Sequence, residues 1–478
     1  MRLTMPMDAN LSVDVAVIGA GTAGLAAYRA AKAAGKRVVI IEGGPGGTTC
    51  ARVGCMPSKL LIAAAESAHA IHKASRFGVH VDSAVRVEGR EVMDRLRRER
   101  DRFVGFVLKG VDAIPEADRI AGYARFVDRH TLQVEGGATV AAKTIVIATG
   151  SRPNVPPILQ GLGDRLVVND DVFDWETLPR SVAVFGPGVI GLEFGQALSR
   201  LGVRVVVLGR GGRLGPITDP IVQKAALKAF SAEFALDPDA HVQRVERQGD
   251  QVLVEYHAPG GEKRVEHFDY VLAATGRSPN VDGLNLQAAG LELDSRGVPV
   301  FDPLTAQAGD SNVFIAGDAS NYLPLLHEAA DEGRIAGDNA ARHPEVRDGL
   351  RRAPLGIVFT DPQIAIVGGG FTSLKAHAVA AGEVSFEDQG RSRVMLRNHG
   401  HLRVYADPDT QQFLGAEMVG PDAEHIGHLL AWALQAGMTV PQMLDMPFYH
   451  PVVEEGLRTA LRELDVHIKA HRAAKKAA

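Results

Sequence analysis

The chain has 478 residues, too many for one hydrophobic core, so about three domains are expected. Hydrophobic residues make up 46% and charged residues 23%, and a formal net charge of −5 provides no broad basic surface, which excludes a nucleic-acid role. No apolar run reaches the roughly 18 residues needed to span a membrane, and Met1 to Asn10 lacks the layout of a signal peptide, so no membrane role and a cytoplasmic location are expected.

Val13 to Gly19 is a short apolar run of the kind buried on both faces of a parallel sheet, and Gly19-Ala-Gly21-Thr-Ala-Gly24 follows it directly. A helix is expected over Ala23 to Ala34, then a strand over Arg37 to Ile41 ending in Glu42. This is the full dinucleotide fingerprint: a glycine for the tight turn, one for approach of the pyrophosphate, one for helix packing, and an acid for the ribose hydroxyls. Eight residues beyond Glu42 comes Cys50-Ala-Arg-Val-Gly-Cys55, which holds both cysteines of the chain. In a reducing compartment a close pair is more often catalytic than structural, although two unrelated buried thiols would also satisfy the spacing. Residues five apart in a regular helix have Cα atoms roughly 8 to 9 Å apart. A disulfide needs less than about 7 Å, so the segment must kink, and Gly54 supplies the freedom to do so.

Further along, an apolar strand closes on Ala148-Thr149-Gly150. The glycine pattern then recurs as Gly186-Pro-Gly188-Val-Ile-Gly191 after the run SVAVFG, followed by a helix through Leu201 and a strand over Arg204 to Leu208. A second Ala-Thr-Gly, Ala274 to Gly276, completes what reads as an internal duplication. Arg152 to Pro157 and Arg277 to Asn280 are expected as crossovers between domains. Val313 to Ala316 reads as a strand ending in Gly317-Asp318. From Leu355 onward, short strands and a helix over Ala423 to Gly437 point to a separate α+β domain, which closes on His450-Pro-Val-Val-Glu-Glu455 and a final helix. The basic tail His471 to Lys476 is expected to be a solvated, frayed end.

Taken together, the cysteine hexapeptide, both glycine turns, the Gly-Asp motif and the His-Pro-Val-Val-Glu-Glu segment resemble the flavin-dependent pyridine nucleotide disulfide oxidoreductases, most closely their dihydrolipoyl dehydrogenase branch. The resemblance runs from about Val13 to Leu461. It implies an α/β chain with two Rossmann-like dinucleotide-binding domains and a C-terminal α+β dimerisation domain. The expected division is 1–152 and 277–352 for the FAD domain, 153–276 for the NAD(P) domain and 353–478 for dimerisation. FAD would lie on Gly19, Gly21, Ala23 and Gly24, with Glu42 at a ribose, Ala124 at the adenosine half, and Thr49, Thr149, Gly150 and Ser151 nearby. Asp318 would bind on the ribityl side, and Leu325 to His327 would pass the flavin ring. The second cofactor would use Gly186, Gly188, Ile190, Gly191 and Gly276. Lys59 and Glu193 fall where the family places an ion pair beside the flavin; alone, each would be read as a surface charge.

The same resemblance makes Cys55 the flavin-side thiolate and Cys50 the one that exchanges with substrate. Exchange requires a thiolate and a base to manage its proton. His450, oriented by Glu455, fits that role and in this family serves the other subunit, which implies a homodimer. The implied substrate is a lipoyl group or another small disulfide, and a lipoyl-carrying multienzyme complex is a possible partner. Mercuric and large thioredoxin reductases carry an additional redox pair, for which this chain has no third cysteine.

Three departures stand out. Relatives that use NAD end the second strand of the nicotinamide domain with a glutamate, but here Leu208 is followed by Gly209, Arg210 and, shortly after, Arg213. On charge grounds these arginines favour the 2′-phosphate of NADP(H) over NAD(H). Arg52 replaces the usual asparagine between the cysteines, where its charge can lower the pKa of Cys50 or simply face solvent. Val452 and Glu454 replace two polar residues near the base. An NADPH-dependent reductase of another disulfide is therefore the alternative to the dehydrogenase.

Overall fold

The computed structural model describes residues 10–83, 85–375 and 379–477, so the segment before Asn10 lies outside the described residues. The chain forms two compact units. One consists of the residues up to Pro57 with Arg95–Asn154 and Gly276–Arg351; the other consists of Ser58–Asp94, Val155–Thr275 and Arg352 onward.

In the first unit the apolar run is the strand Asn10–Ile18, whose Val15, Ala16 and Val17 have no exposed surface because strands flank it on both sides. It pairs in parallel with Val38–Glu42 and with Thr139–Ile147, and Val313–Ile315 pairs with the second half of the latter. The register aligns Ile18 with Ile41 and Ile147, and Ile147 with Ile315, so four strands end at one level. Gly19, Glu42, the Ala148 to Gly150 turn and Asp318 all follow directly from those ends, at the edge of a parallel sheet where ligands bind. The helices Thr22–Ala33 and Leu326–Arg342 pack closely because two glycines permit it: a Cβ on Gly333 would lie 2.1 Å from the Ala23 carbonyl oxygen, and one on Gly337 would lie 2.3 Å from that of Ala27. The two expected crossovers are more ordered than loops, since Ser151–Pro153 and Arg277–Pro279 pair as an antiparallel ribbon.

The second unit repeats the parallel arrangement. Ser181–Phe185 lies between Arg204–Leu208 and Tyr270–Ala273, and Phe185 is level with both Leu208 and Ala273. An antiparallel meander, His241–Gln248, Gln251–His257 and Lys263–Phe268, was not foreseen in the sequence. The C-terminal sheet is antiparallel and five-stranded, and includes an edge strand, Ala380–Ser385, that the sequence reading missed. The helices Ala423–Gln435 and Glu455–Ala477 cover it with Ile426, Leu430, Leu457, Leu461 and Leu464. The basic tail is not frayed: the last helix runs to Ala477, with Lys475 Nζ 2.8 Å from Asp409. Among the described residues no helix is long and apolar enough to cross a membrane.

Candidate active site

The two glycine turns have nearly the same geometry. Gly19 and Gly186 take φ +104° and +105°, each with no room for a Cβ beside the Ala148 or Ala274 carbonyl oxygen. A Cβ on Gly24 or Gly191 would lie 1.8 Å from the carbonyl oxygen of Gly19 or Gly186, so helix and turn touch only because both positions are glycine. By contrast, Gly21 and Gly188 face open space and start their helices without a side-chain cap, leaving amides that can take a pyrophosphate. Both turns therefore fit a dinucleotide.

The strand ends differ. Gly19 N donates to Ile41 O and Gly186 N donates to Leu208 O, which makes Gly209 the counterpart of Glu42. Glu42 is held by the amides of Ala20 and Gly44, both at 2.7 Å, and each carboxylate oxygen keeps acceptor capacity for a ribose hydroxyl. Gly209 is sealed: a Cβ there would lie 2.5 Å from Pro238 O and 2.6 Å from the Pro187 ring. Arg210 and Arg213 are exposed and make no ion pair among the described residues, while Ile190 is half-buried in the first turn of the helix Val189–Arg200.

Around the first cradle, Ser151 Oγ donates to Asp318 Oδ2 at 2.7 Å and Arg277 Nε donates to Ser151 Oγ at 2.8 Å. Thr149 Oγ1 is buried without a hydrogen-bond partner among the described residues, which fits a polar ligand group at that point. Gly150 and Gly276 take positive φ at the turns after their strands. Ala23 packs under Gly317 and Gly333. Ala124 is buried in the sheet, and Gly122 N donates to Glu42 O, so this segment lies beside Glu42. Leu325 precedes the helix Leu326–Arg342, and among the described residues the half-exposed ring of His327 is paired only with Glu328, at 3.9 Å.

The hexapeptide kinks where expected. The helix Thr49–Val53 stops at Gly54 and a second helix, Cys55–Ala74, begins at once. A Cβ on Gly54 would lie 3.1 Å from the Cys50 Cα, so the glycine allows the chain to fold back on the first cysteine. Cys50 is half-buried and Cys55 exposed. Arg52 Nε is buried with no partner among the described residues.

In the second unit, Lys59 Nζ donates to both oxygens of Glu193, at 2.9 and 2.8 Å, and the Glu193 side chain is 5% exposed. Phe359, which the sequence did not single out, completes this site: its amide donates to Glu193 Oε1 and its ring centroid lies 4.6 Å from Lys59 Nζ. No motif marks it, because its backbone amide makes the contact. His450 Nδ1 lies 3.1 and 3.0 Å from the two Glu455 oxygens. The hydrogen bond from His450 holds the Glu455 carboxyl below the ordinary range, and the Val452 amide adds to the effect. A proton on Nδ1 would be held by the carboxylate, leaving Nε2 on the solvent side of an exposed ring.

Residues 13–333 match the family described as pyridine nucleotide-disulphide oxidoreductase, and residues 355–461 match its dimerisation domain. The chain is 32% identical over 469 residues to dihydrolipoyl dehydrogenase 3 of Pseudomonas putida, spanning 95% of this chain and 98% of that protein. It is 31% identical over 477 residues to a mercuric reductase of Acidithiobacillus ferrooxidans, spanning 96% of this chain and 83% of the relative. Among solved structures, the HOCl-induced flavoprotein disulfide reductase RclA of Escherichia coli superposes with a TM-score of 0.78 at 25% identity, covering 94% of this chain and 99% of that one. LpdA of Mycobacterium tuberculosis superposes with a TM-score of 0.80 at 25% identity, covering 95% and 100%.

Proposed function

The chain belongs to the pyridine nucleotide-disulphide oxidoreductases, flavoproteins that use FAD and a pyridine nucleotide, and from that premise we propose that it works as a dihydrolipoamide dehydrogenase. FAD in the first cradle would relay electrons between the nicotinamide and the Cys50/Cys55 disulfide. Cys50 exchanges with the substrate dithiol and Cys55 stands on the flavin side. His450 takes the substrate thiol proton at Nε2 and returns it to the leaving sulfur, while Glu455 holds the ring in the required tautomer. Lys59 and Glu193 would form the fixed ion pair that the family places beside the flavin. The observation that carries this assignment is the His450–Glu455 contact, which has no structural need of an exposed imidazole and suits proton transfer to sulfur.

The working form is a homodimer in which His450 serves the disulfide of the partner subunit. The FAD domain comprises 1–152 and 277–352, the nicotinamide domain 153–276 and the dimerisation domain 353–478. A lipoyl-carrying multienzyme complex in the cytoplasm is the matching partner. One feature favours a second assignment, an NADPH-dependent reductase of another small disulfide: glycine stands at position 209 where an acid would bind a ribose, beside Arg210 and Arg213, which make no ion pair among the described residues. Anaerobic turnover with dihydrolipoamide, measured separately with NAD+ and NADP+, tests both. Rapid turnover supports the dehydrogenase; no turnover alongside fast flavin reduction by NADPH replaces it with the reductase.

A further inference from the structure

The second unit contains a cleft of about 570 Å³ away from its glycine turn. The helix Pro220–Ser231 lines it with Ile221, Ala225 and Ala229, which recur every four residues and form an apolar stripe. The rest of the lining is rich in charge, with five lysines and arginines against three carboxylates. Those carboxylates are already engaged. Glu233 accepts Gln196 Nε2 at 2.9 Å and Arg200 Nη2 at 3.0 Å; Asp361 accepts Arg200 Nη2 at 3.1 Å; and Glu387 pairs with Lys228. Arg76 and Lys224 have no carboxylate partner among the described residues.

Two histidines of the lining are lowered, chiefly by burial. Burial, reinforced by Arg200 and Lys73, pushes His69 down to about 4, and burial with Lys73 and Arg76 lowers His399. The carboxylates Glu233, Asp361 and Glu387 oppose these shifts without cancelling them. His69 is therefore a neutral ring at pH 7, and its Nε2 is buried with no partner among the described residues.

We propose that this cleft is a ligand site, distinct from both dinucleotide cradles, for a small organic phosphate with an apolar body. The phosphate dianion matches the two uncompensated cations, Arg76 and Lys224, and the apolar body lies along Ile221, Ala225 and Ala229. The volume suits a molecule of nucleotide or aryl phosphate size. The site does not depend on which disulfide the enzyme handles.

The test is calorimetric titration of the FAD-loaded protein with 1-naphthyl phosphate and with inorganic phosphate. The expected result is one aryl phosphate per chain, at least tenfold tighter than inorganic phosphate. Arg76→Glu and Lys224→Glu, both at exposed positions, should each weaken it at least fivefold and leave flavin reduction by NAD(P)H unchanged. The Arg210→Ala/Arg213→Ala double variant should bind as the wild type does. The proposal is overturned by absence of binding up to millimolar concentration, by equal affinity for the two probes, by full binding in both charge-reversal variants, or by loss of binding only in the Arg210/Arg213 variant.

Discussion

His450 and Glu455 make a residue-scale prediction with a defined pH dependence. Because Glu455 has a depressed pKa, its contact with His450 is complete above the ordinary carboxylate range near 4 and is lost only as pH falls through the lower folded value. Any acid limb between pH 5 and 8 therefore arises elsewhere than Glu455. Glu455→Gln should lower kcat with dihydrolipoamide by roughly 10²-fold through loss of the tautomer lock, with FAD content intact; steady-state turnover beside the flavin spectrum checks it. A second test concerns Arg52, whose Nε is buried with no hydrogen-bond partner among the described residues. Arg52→Asn should move alkylation of Cys50 in the reduced protein to higher pH, and an unchanged profile would assign Arg52 no influence on that thiol.

Between elements, the close contacts are backbone on backbone and depend on single glycines. Gly24→Ala places a methyl group against the Gly19 carbonyl and should yield protein poor in FAD, whereas Gly191→Ala does the same to the second turn and should retain FAD but lose reduction by NAD(P)H. Absorbance of the purified variants and anaerobic titration separate the two outcomes. These turns were legible in the sequence because only glycine tolerates the positive φ and the approach, and the strand and helix beside each turn ended within a residue or two of expectation. The kink at Gly54 was legible for the same reason. The meander from His241 to Phe268 was not. Several of its residues face solvent on one side, its alternation is weak, and a charged stretch such as His241–Gln248 resembles a loop. Phe359 was hidden for a different reason: a backbone amide serves Glu193 whatever side chain it carries.

At the level of the whole molecule, charge networks and exposed apolar groups set the expectations. Asp361 is raised by burial, but Arg200, Arg397 and Lys73 outweigh that and lower it, so its stabilising contribution is present above the ordinary aspartate value and lost as pH falls through the folded one. Asp361→Asn should cost roughly 3 kcal/mol at pH 7, and the gap from wild type in urea unfolding should narrow at pH 3. Leu429 and Trp432, three apart on the helix Ala423–Gln435, are 44% and 69% exposed in a segment matching a dimerisation domain. Trp432→Glu should shift sedimentation toward the monomer; an unchanged dimer would place the interface elsewhere.

The sealed position at Gly209 also constrains the history open to this protein. Installing the ribose-binding acid takes more than one substitution, because the new side chain meets the Pro187 ring and the backbone of Pro238. A Gly209→Glu substitution made alone would therefore strain the strand end. An acid at this strand end therefore requires accompanying changes around Pro187 or Pro238, whereas the exposed Arg210 and Arg213 can be varied one at a time.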